Sequence, residues 1–174
     1  PNNPTGAVYT KEECKALAIT CRKHNIVVFS DEIYSQINFS ERHSPSISAY
    51  YPEKTIIFGG LSKVFSAGGY RLGYILLPNE MQDLQNVYKS LFSETFSCVS
   101  AHIQYAEIKA IEYNTELQNY VATTVAILKN ISAFIFKELS EVAVECTKSE
   151  GAFYMLIGFN LHKAAILKLG ISNS

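Results

Sequence analysis

Tryptophan is absent from this 174-residue sequence, and cysteine is sparse and unpatterned. Cys14, Cys21, Cys98 and Cys146 form no C-x-x-C pair, which excludes the spacing of a zinc site or a redox motif. Cys14 and Cys21 would share a face of a helix, so spacing alone leaves a disulfide open; small apolar thiols in a reducing compartment are the expected reading. The four histidines are scattered without H-x-x-x-H spacing, so no metal site is expected. Charge of either sign is scarce. The net charge is −1 with 18% charged residues, and the basic excess of a nucleic-acid footprint is missing. No uninterrupted apolar run reaches the roughly 18 residues of a membrane span. No signal-peptide pattern opens the chain. Instead it begins Pro1-Asn2-Asn3-Pro4-Thr5-Gly6, turn chemistry in place of a starting Met, which reads as processing or truncation.

What is present fits a globular fold. Residues are 48% hydrophobic, enough for a real core. Thr10 and Glu13 make a capping-box pattern, predicting a helix to about His24 with Cys14, Leu17, Ala18 and Cys21 on one face and Asn25 as its C-cap. Ile26–Phe29, Thr55–Phe58 and Tyr74–Leu77 are short apolar runs without alternation, the pattern of strands buried on both faces of a parallel sheet. Residues 36–52 are polar and turn-rich, a loop with room for a short helix. With Asn79 as N-cap, helices are expected over 80–92, 102–113 and 116–139, the last carrying an apolar stripe of Val121, Val125, Leu128, Ile131 and Ile135. Strands at 142–145 and 152–156 flank a turn at Glu150-Gly151, and a last helix is expected over 161–169.

Chemistry concentrates at the ends of the first two strands, where α/β folds place ligands. After the second strand comes Gly60-Leu61-Ser62-Lys63-Val64-Phe65-Ser66-Ala67-Gly68-Gly69-Tyr70-Arg71-Leu72-Gly73. A lysine amine can form a Schiff base with an aldehyde. An arginine that folds back can fork onto a phosphate. Glycines between them permit the return of the backbone. A solvent-facing lysine and arginine is the plainer reading of each residue alone; the length of the ordered pattern argues against it. After the first strand stands Asp31-Glu32-Ile33-Tyr34, by itself an ordinary strand end. Asn3-Pro4-Thr5-Gly6 is by itself an ordinary type I turn.

Taken in order, these three segments resemble the class I/II pyridoxal-phosphate-dependent aminotransferases of fold type I, the aspartate aminotransferase superfamily. The resemblance runs from Pro1 to about Phe159. It implies an α/β fold: the C-terminal part of a large domain, a mostly parallel sheet with flanking helices, over 1–115, then a linker helix and the start of a small α+β domain over 116–174. It implies pyridoxal 5'-phosphate as cofactor, bound by Lys63 as a Schiff base. Asp31 would pair with the ring nitrogen, Tyr34 and Asn3 would hydrogen-bond the ring oxygen, and Arg71 would hold the phosphate. Many members carry a serine where this chain has Gly60, so Ser62 is the candidate hydroxyl for the phosphate. Glu150–Tyr154 and Gln104–Ala106 resemble further family segments and are read as core packing. Glu32 is given no role.

The implied activity is transfer of an amino group between an amino acid and a 2-oxo acid, with Lys63 as catalytic base and acid. The same motif serves β-lyases, decarboxylases and synthases, and a cofactor-sensing domain of transcription regulators. Family members also have an N-terminal half with a glycine-rich phosphate loop, and a near-C-terminal arginine for the substrate carboxylate. Of Arg22, Arg42 and Arg71, none stands in that context. The chain is therefore expected to be an incomplete piece, inactive alone, of an enzyme that forms a homodimer in the cytoplasm or an organelle matrix, without nucleic-acid or membrane partners.

Overall fold

The computed structural model describes residues 1–112, 114–142 and 144–159. Helix α1 (Lys11–Lys23) starts where the Thr-x-x-Glu pattern places it. Thr10 Oγ1 accepts from the Glu13 N–H at 3.1 Å, and Glu13 Oε2 accepts from the Thr10 N–H at 2.8 Å. Such a box satisfies two donors that a helix start leaves open and contributes about 1 kcal/mol. Cys14 and Ala18 are buried on the expected face; Leu17 is exposed. His24 caps the last turn, and Asn25 follows it in the left-handed region at φ 56°. The Ile26 N–H then bonds back to the Cys21 carbonyl at 2.9 Å. That closing bond holds Ile26 in the turn, so β1 (Val28–Asp31) begins two residues later than the apolar run suggests.

β1 pairs in parallel with β2 (Thr55–Gly60), with Asp31 opposite Phe58. β3 (Gly73–Leu76) completes the sheet in the order β1-β2-β3, but antiparallel to β2, with Gly60 opposite Gly73. A parallel partner would need a crossover connection of a dozen or more residues, usually helical. Residues 61–72 are folded into turns instead, so the chain returns at the end it left. The strands are not buried on both faces as expected. Phe29 is 63% exposed and Leu76 54%, since no described helix lies across them.

Pro78 and the 3-10 turn Asn79–Met81 delay the next helix, so α2 spans Leu84–Thr95 and Asn79 is not its cap. The Gln82 side chain donates to the Leu77 and Pro78 carbonyls and holds this tight first turn. α3 (Ala101–Ile111) and α4 (Thr115–Ser140) lie close to their predicted spans. Asn114 caps α4, its Oδ1 accepting from the Glu116 and Leu117 N–H groups at 2.9 and 3.3 Å. Val125 and Leu128 pack against a core of Tyr34, Ile37 and Ala152, while Ile131 and Ile135 of the same stripe stay exposed. By length and composition alone α4 matches a membrane span. Here it lies along the body, with Lys129 Nζ donating to the Phe39 carbonyl at 2.8 Å and Tyr120 Oη to Ser66 Oγ at 2.9 Å.

The last described strands, β4 (Glu145–Cys146) and β5 (Ile157–Gly158), form an antiparallel pair. The strand expected at 152–156 is a turn instead. Glu150 and Gly151 donate to the Gly6 carbonyl, and Ala152, at φ 57°, donates to the Ile37 carbonyl. With its amides bonded to two separate segments, this stretch cannot continue a ladder. The helix expected over 161–169 lies outside the described residues.

Candidate active site

The sheet topology brings the predicted residues to one end. Asp31 closes β1, Lys63 follows the end of β2, and Arg71 precedes β3. Because β3 returns antiparallel, both ends of segment 61–72 are fixed by the Gly60–Gly73 pairing. Within that segment buried Leu61 and Val64 anchor the backbone on either side of Ser62 and Lys63. The Phe65 and Ala67 amides bond to the Leu61 carbonyl, and the Ser66 amide to that of Lys63.

Lys63 Nζ stands over two aromatic rings, 5.9 Å from the centroid of Tyr34 and 5.8 Å from that of Phe153. It makes no hydrogen bond or ion pair among the described residues. Asp31 Oδ1 accepts from the Ile33 N–H at 3.1 Å, and Oδ2 has no partner among the described residues. Arg71 adopts the left-handed region at φ 54°, unusual for a residue with a side chain and costing about 1 kcal/mol. Its Nη1 donates to the Gly68 carbonyl at 2.7 Å, folding the guanidinium back toward the segment that carries Lys63. Tyr34 is buried, and its hydroxyl meets the Tyr154 hydroxyl at 2.6 Å. Burial pushes the Tyr34 phenol above its ordinary range.

Asn3 is not drawn into this cluster. It is exposed in a turn closed by the Gly6 N–H on the Asn2 carbonyl, and its side chain has no hydrogen-bond partner among the described residues. That turn is nonetheless held near the cluster through the Gly6 bonds to Glu150 and Gly151. Asp31 lines a cavity of about 370 Å³ together with Pro1, Asn2 and Glu32; Lys63 is not part of that lining. Ser62 is half-buried, and its hydroxyl has no partner among the described residues. At Gly60 a Cβ would lie 2.7 Å from the Leu72 carbonyl oxygen, so the close β2–β3 approach leaves no room for a side chain.

Two contributions escape the sequence reading. Phe153 and Tyr154, taken there as core packing, lie against Tyr34 edge-to-face with centroids 5.4 and 5.6 Å away. Glu32, given no role, accepts from the Ser30 hydroxyl at 3.1 Å and from the Ser46 hydroxyl, tying loop 44–48 to the end of β1. Nothing local announces either arrangement, since both depend on contacts between separate segments.

The profile of the class I and II aminotransferases matches residues 1–169. The chain belongs to that family. Aspartate aminotransferases of Geobacillus stearothermophilus and Bacillus subtilis are 34% and 33% identical to it over 159 and 158 residues, in each case 89% of this chain and 39% of the relative. Among solved structures, a Thermus thermophilus aspartate aminotransferase mutant superposes with a TM-score of 0.84 at 27% identity, covering 99% of this chain and 48% of that one. The aromatic aminotransferase of Pyrococcus horikoshii gives 0.80 at 29%, covering 89% and 41%. This aminotransferase chain thus spans about two fifths of the length of the curated relatives it matches. The neighbours share its fold, fold type I. The family's cofactor is pyridoxal 5'-phosphate, and the donor set suits it: among the described residues, an amine with no hydrogen bond or ion pair, a carboxylate with one oxygen unbonded, and a guanidinium with N–H groups left over, all at one end of the sheet.

Proposed function

We propose that this chain is the lysine-bearing part of an aminotransferase that moves an amino group between an amino acid and a 2-oxo acid. The observation that carries the reading is Lys63 Nζ, placed over Tyr34 and Phe153 at the end of the sheet that also holds Asp31 and Arg71. When bound, pyridoxal 5'-phosphate supplies an aldehyde for an amine and a ring that accepts electron density from a substrate Cα.

Lys63 Nζ would hold the cofactor and would be the group to take a proton from Cα and return it. The Asp31 carboxylate would accept from a protonated ring nitrogen and hold that proton in place. Arg71 would hold the phosphate, with the Ser62 hydroxyl beside Lys63 as a second donor. Tyr34 and Asn3 would donate to the ring oxygen. Together these contacts keep the reacting atom within reach of Lys63, where positioning supplies much of the rate. A homodimer, a domain boundary near residue 115 and a place in the cytoplasm or an organelle matrix complete the proposal. The free cysteines of the described residues suit a reducing compartment.

Borohydride reduction of the full-length protein loaded with the cofactor, followed by peptide mapping, tests this directly. A phosphopyridoxyl group on Lys63 is expected. Its absence there, in a folded full-length protein, would overturn the assignment.

A further inference from the structure

The Tyr34–Tyr154 contact has more structure than packing requires. The two hydroxyls are 2.6 Å apart although the residues are far apart in sequence. The Tyr34 ring is clamped edge-to-face by Phe153 at 81° and by Tyr154 at 86°, so it cannot turn its hydroxyl elsewhere without leaving both rings. Tyr154 is itself held: its carbonyl accepts from the Ser149 hydroxyl, and the turn before it is bonded to Gly6 and Ile37. Lys63 Nζ lies over the same Tyr34 ring.

A phenol has one proton to donate and two lone pairs to accept with. If Tyr34 gave its proton to Tyr154, it would have none for a ligand near Lys63. If Tyr154 gives its proton to Tyr34, the Tyr34 proton is free to point at an acceptor, and the accepted bond polarises Tyr34 into a stronger donor.

We propose that Tyr154 is a positioning residue for the cofactor, donating to the Tyr34 hydroxyl and thereby aiming and strengthening the hydrogen bond from Tyr34 to the ring oxygen. This rests on the proposed function above and goes beyond it, by making a residue of the turn after β4 part of the cofactor's hydrogen-bond chain. The stabilised form is the one with negative charge on the ring oxygen. Loss of the Tyr154 hydroxyl therefore disfavours that form and raises the pH at which the bound cofactor's visible absorption changes.

The test uses the full-length protein loaded with pyridoxal 5'-phosphate, with Tyr154→Phe, Tyr34→Phe and the double variant. Tyr154→Phe keeps the ring and removes only the hydroxyl. Its absorption midpoint should move up by about half a pH unit, roughly threefold in the proton equilibrium, in line with the net effect of one hydrogen bond. Tyr34→Phe should move it further, and the double variant should match Tyr34→Phe, because Tyr154 acts through Tyr34. Replacement of Tyr154 by 3-fluorotyrosine, a more acidic phenol of nearly the same shape, should move the midpoint down, and it covers the case in which Tyr154→Phe does not fold. In cofactor-free protein the Tyr34 [13Cζ] NMR signal should shift on Tyr154→Phe. Unmoved midpoints in both Tyr154 variants, or an equal shift with and without Tyr34, overturn the inference while borohydride labelling of Lys63 still upholds the function. Failure to label wild-type Lys63 overturns both.

Discussion

The carbonyl oxygen of Leu72 stands 2.7 Å from where a Cβ on Gly60 would lie. The Cα of Gly73 is 3.1 Å from the same point, so two backbone atoms of the returning chain close over that position. Backbone cannot move aside as a side-chain tip can. Gly60→Ser should destabilise the protein by about 1–3 kcal/mol, the usual cost of overpacking. It should also leave cofactor affinity no better. Urea unfolding with and without pyridoxal phosphate reads both quantities; unchanged stability would mean that the strands separate at this point.

Lys63→Ala should remove the borohydride-stable label and lower turnover by more than about 10²-fold, the smaller end of what a positioned acid–base group contributes. Folding should be unaffected, since the Lys63 ammonium makes no hydrogen bond or ion pair among the described residues. Circular dichroism and mass mapping on the same sample separate the two effects.

Asp31→Asn keeps the shape of the side chain, and its Oδ1 can still accept from Ile33 N–H. The charge proposed to face the ring nitrogen is lost. Single-turnover proton abstraction from Cα should slow by roughly 10²–10³-fold, the scale seen when one preorganised electrostatic partner is removed. A rate within a factor of two of wild type would take Asp31 out of this role.

The helix start at Thr10 makes a pH prediction. Hydrogen bonds from the Thr10 backbone and then its side chain hold the Glu13 carboxyl below its ordinary value. A carboxyl whose folded pKa is depressed binds fewer protons folded than unfolded. Its stabilising contribution is therefore present above the unfolded pKa of about 4.3 and is lost as pH falls through the lower folded value. Glu13→Gln should lower the melting temperature at pH 7, and the difference should be smaller at pH 3. Equal differences at both pH values would assign the effect to something other than this charge.

The candidate site was legible in the sequence wherever one segment carried it. Lys63, Ser62 and Arg71 share a turn, and Asp31 and Tyr34 share a strand end, so their order along the chain nearly equals their order in space. The Thr10–Glu13 box fixed α1 to the residue for the same reason. What stayed hidden depended on pairing between segments. Antiparallel β3 looks like any other buried strand, because short apolar runs carry no direction. Phe153 and Tyr154 look like core residues because nothing near them mentions Tyr34. The exposed Phe29 and Leu76 have the right composition for burial, which composition alone cannot distinguish from burial achieved.

The amides of Glu150, Gly151 and Ala152, bonded to the carbonyls of Gly6 and Ile37, have a consequence in time as well as in space. Each of these bonds closes a very long loop, and such closures are costly until their contacts form together. The sheet can assemble from neighbouring strands before them. The surroundings of Tyr34 cannot, because Phe153 and Tyr154 arrive only with that turn. The aromatic wall beside Lys63 should therefore form late in folding. Protection of the Ala152 amide from hydrogen exchange would report, minute by minute, how complete the pocket is.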